Sequence, residues 1–235
     1  MKLVGFLKPV KLEWLNLTVE ELKKGNDSEN IRQFLKDYIS NFYQSKDTIR
    51  KAAAILMNAW VDVEYKNIRD FALDLYDNVK EEEKIALHYG LMMIAFPIFN
   101  DIVSLIGKAL YLDERFKLEN IKNKIYEKWG ERQTLKYSID RIIMSLKEWG
   151  LIENEKIGIY KSGKKIIIEN AQVKAFLIAC YLIAQNRDYI DIVEAENLYS
   201  FFPFLYNLNL TELNNIDILS KNNIGSNIVI GVKDL

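Results

Sequence analysis

Six side chains within ten residues, Arg132, Gln133, Thr134, Lys136, Tyr137 and Arg141, carry the clearest chemistry in this 235-residue chain, and that chemistry is recognition. Guanidinium, ammonium, amide and hydroxyl groups are the donors that meet phosphate oxygens and base edges. They fall opposite Leu135, Ile139, Ile142, Leu146 and Trp149, which recur at intervals of four, three, four and three, the apolar stripe of an amphipathic helix. Asp140 shares the donor face and opposes contact with an anion. A second set of cations, Lys161, Lys164 and Lys165, follows in LIENEKIGIYKSGKKIII. That segment reads as a hairpin turning at Lys161-Ser162-Gly163-Lys164, with Gly163 supplying a positive φ and the lysines at the tip. Such a tip suits salt-sensitive contact with a DNA backbone.

Other residue types offer less. Gly158 to Lys165 nearly matches the phosphate-loop pattern GxxxxGK[ST], but Lys165 stands where a hydroxyl should bind magnesium. A phosphate loop also needs a helix after it, and here the flanks read as strands. His88 is the single histidine and lies in an apolar helix; Cys180 is the single cysteine, also in an apolar run. Clusters of His and Cys for a metal are therefore excluded by number, and nucleophilic catalysis would have only His88 as its base. Glu81, Glu82 and Glu83 are consecutive and read as a solvated helix face. No catalytic residue, cofactor or metal is expected, and the chain is read as a non-enzyme.

The elements that must position these groups are mostly helices. LENIKNKIYEKWG buries Ile121 and Ile125, exposes Lys122, Lys124 and Lys128, and ends at Gly130, which permits a sharp reversal. Two helices joined by about four residues including a glycine form a helix-turn-helix pattern. Upstream, Ser28 is the expected cap of a helix reaching about Tyr43, and Asp47 or Thr48 the cap of IRKAAAILMNAWV. Pro97 opens a further helix, PIFNDIVSLIGKALYL. Downstream, QVKAFLIACYLIAQ reads as a buried helix. ENLYSFFPFLYNLNL is aromatic-rich, either core or an exposed anchor for a partner, and NIVIGVKDL is a terminal strand or a packed tail.

The phrase ERQTLKYSIDRIIMSLKEWGLIE followed by GIYKSGKKI resembles the recognition helix, joint and wing of the winged helix-turn-helix superfamily. The resemblance covers about 70 residues if the Pro97 helix is the module's first. It implies that Gln133, Thr134, Lys136, Tyr137 and Arg141, joined by Arg132 at the helix start, face DNA, with Lys161, Lys164 and Lys165 on the wing. The order of a helical N-terminal part, this module and a helical tail also resembles small BrxA-like proteins of phage-defence islands.

Composition bounds these readings. The net charge is −1, so DNA affinity must come from local charge. Residues 113 to 169 carry 13 Lys/Arg against 10 Asp/Glu, a modest excess of the right sign. One cysteine fits a reducing compartment, and no apolar run is as long as a membrane span, so a cytoplasmic protein without membrane contact is expected. The expected fold is mainly α, a helical bundle flanking a central winged helix-turn-helix with a small β-hairpin wing. Its expected divisions are residues 1–96, 97–169 and a helical 170–235. The expected partner is duplex DNA, in a regulatory role and with dimerisation plausible through paired half-sites. The alternative is a protein–protein adaptor in a larger assembly.

Overall fold

The computed structural model describes residues 5–213, 216–224 and 227–233. The fold is mainly α-helical with small sheets. Four helices lead, α1 (Leu12–Lys23), α2 (Ser28–Ser40), α3 (Lys46–Leu56) and α4 (Lys66–Leu75). The last turn after α3, Met57–Val61, is π-helical. The caps differ from those expected by one to three residues. Asp27 accepts from the Asn30 amide at 2.8 Å and leaves Ser28 inside α2. Ser45 accepts from Thr48 at 3.4 Å, while Asp47 pairs instead with Arg50 and Lys51.

Helices α5 (Lys84–Ala95) and α6 (Pro97–Asp113) meet at Pro97 with a bend of 119°. No single helix among the described residues is long and apolar enough to cross a membrane. After α6 come β1 (Arg115–Lys117), α7 (Leu118–Trp129), α8 (Gln133–Glu148), β2 (Ile152–Lys156) and β3 (Ile159–Ser162). The three strands form an antiparallel sheet in the order β1-β3-β2. The chain continues through β4 (Ile166–Ile167), the buried α9 (Ala171–Gln185), β5 (Tyr189–Asp191), α10 (Ile192–Ala195), β6 (Phe204–Leu205), α11 (Leu210–Leu213), β7 (Leu219–Ile224) and β8 (Asn227–Val232). The expected helical C-terminal region therefore contains a second three-stranded sheet, β5-β8-β7. The expected terminal strand is β8; Asp234 and Leu235 at its end lie outside the described residues.

One hydrophobic cluster runs through all three expected divisions, from Phe6 to Ile230. Residues 5–12 lie along α8: the Val10 amide donates to Ser145 Oγ at 2.8 Å, Trp149 Nε1 donates to the Val10 carbonyl at 3.0 Å, and the Leu12 amide donates to Glu148 at 3.0 Å. Phe6 stacks on Phe99 of α6 at 5.6 Å. The acidic triplet is not uniformly solvated. Glu83 is buried, and its carboxylate accepts the amides of Glu169 and Asn170 at 2.8 and 3.0 Å, which ties the start of α5 to the start of α9. Buried carboxylates survive where donors of this kind meet them.

The aromatic segment divides between core and surface. Phe201 and Phe204 are buried and Tyr89 donates to the Ser200 carbonyl at 2.6 Å, whereas Tyr199 and Leu205 are exposed.

His88 is wholly buried with both ring nitrogens engaged. Trp60 Nε1 donates to Nδ1 at 3.0 Å, so the proton sits on Nε2, which donates to Asn16 Oδ1 at 2.8 Å; the Tyr76 hydroxyl reaches the same oxygen at 2.8 Å. Burial, with a smaller push from Lys84, lowers its pKa to about 3. An unfolded histidine takes its proton near pH 6.5, roughly three units earlier. The contribution of neutral His88 is complete above that pH and is lost as the pH falls toward 3, at up to about 1.4 kcal/mol per pH unit. Urea midpoints measured from pH 7 to 5 should fall more steeply for the native chain than for His88→Gln. Parallel profiles would contradict a buried neutral imidazole.

Candidate nucleic-acid interface

The site is built from α7, α8 and the β2–β3 hairpin. Helix α7 buries Ile121 and Ile125 and is fixed to α6 through Asp101, which accepts from Lys128 Nζ at 2.8 Å and from Trp129 Nε1 at 2.7 Å. Gly130 then takes φ 76° with an extended ψ of 146°, so the reversal is made by positive φ without a left-handed helical turn. Arg132 is the N-cap of α8 in extended geometry, and its carbonyl accepts the Leu135 and Lys136 amides at 3.0 and 3.1 Å. No side chain caps this helix start.

The apolar stripe of α8 is inside as expected: Leu135, Ile139, Ile142, Leu146 and Trp149 are all buried. On the opposite face Arg132, Gln133, Thr134, Lys136 and Tyr137 are exposed and Arg141 is half-buried. The structure therefore brings five of the expected site residues onto one helix face, with Arg132 at the helix start. Gln133 donates to the Tyr137 hydroxyl at 2.9 Å, and Arg141 packs on Met144 at 3.4 Å. Among the described residues none of Arg132, Lys136 and Arg141 has a carboxylate within ion-pair distance, so their charge is available to an anion.

Asp140 is neutralised from a neighbouring helix. Lys122 of α7 reaches its carboxylate at 2.6 Å, with both side chains partly buried. The negative charge that weighed against phosphate contact is thereby absorbed in the α7–α8 joint. Local sequence gave no signal for this, because the partners lie on different helices and the pairing depends on how those helices cross.

The hairpin turns at a different place from that expected. Its tip is Ile157-Gly158, where Gly158 has φ 74°, and β2 and β3 pair from Ile152↔Ser162 inward to Lys156↔Ile159 with a bulge after Asn154. Gly163 instead sits at the base: its amide donates to the Leu151 carbonyl at 2.9 Å, and a Cβ there would lie 2.1 Å from the Gly150 carbonyl oxygen. The glycine is required for backbone contact and not for a turn. The three lysines consequently do not form the tip. Lys161 lies along β3 beside Glu153 at 3.3 Å and opposite Arg115, which itself approaches Glu155 at 3.7 Å. Lys164 faces Glu82 at 3.4 Å. Lys165 donates to the Phe202 carbonyl at 2.5 Å, and burial lowers its pKa. The tip carries Lys156 and the fully exposed Ile157, neither of them among the expected site residues; Gly158 between Ile157 and Ile159 is the local sequence signal for a turn there.

The segment resembling a phosphate loop runs along β3 into β4, and no helix begins until Ala171. Cys180 is buried with its thiol pushed upward by desolvation, and His88 is equally enclosed. Among the described residues no group of three or more His, Cys, Asp or Glu side chains is placed to hold a metal ion.

Gly158 has open space around it, so replacing it tests the backbone alone. Gly158→Val should cost about 1–2 kcal/mol, and Gly158→Asn clearly less, because Asn tolerates positive φ. Denaturant unfolding measures both; an indifferent valine variant would contradict the turn. The chain matches no family model, no curated protein and no solved structure.

Proposed function

We propose that residues 97–169 form a winged helix-turn-helix and that the protein is a non-enzymatic DNA-binding or regulatory factor, laying α8 against duplex DNA with the β2–β3 hairpin as a wing. The order of three helices interleaved with an antiparallel sheet β1-β3-β2 supports the module. The single observation that carries the DNA reading is the outer face of α8. Among the described residues Arg132, Lys136 and the half-buried Arg141 have no carboxylate partners, and Gln133, Thr134 and Tyr137 lie between them beside a helix start that no side chain caps. Helix N-termini and unpaired guanidinium groups are what phosphate oxygens meet, while Gln, Thr and Arg side chains can address base edges.

Charge assigns unequal roles to the lysines. Among the described residues Lys156 at the tip has no carboxylate within ion-pair distance, Lys161 is half-compensated by Glu153, Lys164 faces Glu82, and the Lys165 ammonium is turned to the Phe202 carbonyl. Affinity should then be modest and strongly dependent on salt, because most of it comes from counterion release.

Anisotropy titrations of a labelled duplex of about two helical turns test this. Arg132→Ala with Lys136→Ala should weaken binding at least about tenfold and reduce the slope of log affinity against log salt by about 1.8, two phosphate contacts' worth. Lys164→Ala should change affinity less than about twofold, since its charge is already compensated. No binding at low salt, or a larger loss from the Lys164 variant than from the α8 pair, would overturn the proposal.

A further inference from the structure

Away from α8, helix α6 and the segment 196–206 enclose an open groove of about 650 Å3. The two walls approach so closely that a Cβ on Gly107 would lie 1.8 Å from the Tyr199 carbonyl oxygen. Aromatic rings dominate the lining: Tyr111, Tyr199, Phe202 and Tyr206 contribute, and Tyr111 and Tyr199 form a tilted pair with centroids 5.4 Å apart. Tyr111 is 75% exposed and Tyr199 43%, unusual for large rings held in contact with each other at a surface.

Two carboxylates share this lining, Glu114 and Glu196. Neither has a lysine or arginine within ion-pair distance among the described residues; Glu196 accepts only the Leu208 amide, at 3.4 Å. Glu114 ends α6 with φ 55°, a left-handed position where glycine or asparagine is usual, so a carboxylate stands there at a backbone cost of about 1 kcal/mol. The groove's own cation, Lys165, donates to the neutral Phe202 carbonyl and lies over the Phe202 ring at 5.8 Å, so it keeps its charge and leaves two carboxylates against one ammonium. Exposed aromatic faces beside an excess of carboxylate attract a cation with an apolar stem and disfavour phosphate. The volume exceeds that of one ammonium or guanidinium group and accommodates it with a neighbouring side chain, and the open form admits an extended chain.

We infer that this groove docks an extended segment of a protein partner, with an arginine or lysine placed over the Tyr111–Tyr199 pair and neutralised by Glu114 and Glu196. The inference does not rest on the DNA reading, since no residue of α8 or of the hairpin tip lines the groove.

Full-length protein is titrated with a labelled hexapeptide of alternating leucine and arginine, and with the same peptide carrying citrulline or glutamate in place of arginine. The arginine peptide should bind saturably, and citrulline should weaken it at least about tenfold by removing the charge but keeping the shape. Glutamate should abolish binding. Glu114→Gln with Glu196→Gln should also weaken the arginine peptide at least about tenfold while leaving the thermal midpoint and duplex DNA affinity unchanged. Hydrogen-exchange protection on binding should appear at residues 107–114 and 196–206. Absence of saturation by about 1 mM, equal binding of the citrulline or glutamate peptide, or an arginine affinity untouched by the double variant would overturn the inference.

Discussion

Leu135, Ile139, Ile142 and Leu146 are almost completely withdrawn from solvent, and their burial fixes the rotation of α8 about its own axis. Each such side chain contributes roughly 1.5–3 kcal/mol against exposure. Turning the helix by a third of a revolution would forfeit most of that and drive Lys136 or Arg141 into the core. The N-terminal segment closes the arrangement: Val10 bonds to both Ser145 and Trp149, so the far end of α8 is held by hydrogen bonds as well as by packing. The direction in which the donor face points is thus set by what the opposite face buries.

Electrostatics refine that face and do not create it. A chain with net charge −1 has no general attraction for polyanions, so any such attraction must be local. The Lys122–Asp140 pair neutralises the carboxylate on that face and also ties α7 to α8. Near the sheet Lys161 is partly compensated by Glu153 and Arg115 by Glu155, whereas among the described residues Lys117 and Lys124 pair with no carboxylate and add to the cations of α8 and the hairpin tip. The groove beside α6 differs: its lining holds two carboxylates, without ion-pair partners among the described residues, and one lysine among aromatic rings.

What could be read from sequence follows from the range of the interactions involved. The α8 stripe, the Pro97 helix start and the buried α9 are local periodicities or local steric rules, and they appear as expected. The hairpin was legible as a hairpin but not in its register, because Gly158 and Gly163 lie five residues apart and only pairing with β2 decides which one turns. Strand β1 is three residues long and exists because Phe116 stacks on Tyr160 across the sheet at 5.3 Å, a contact no local pattern announces. Glu83 looked solvated because the amides it accepts lie 86 and 87 residues away. The half of the aromatic segment that stays at the surface was likewise decided by what α6 left uncovered.

On the proposed function, α8 and the hairpin tip, and not the lysines at the hairpin base, meet duplex DNA. Titrating isotopically labelled protein with a short duplex and following its amide resonances tests this most directly. Shifts should concentrate at residues 132–141 and 156–158 and leave 164–169 and 196–206 unmoved. Shifts centred on either of the latter segments, or an unchanged spectrum at low salt, would contradict it.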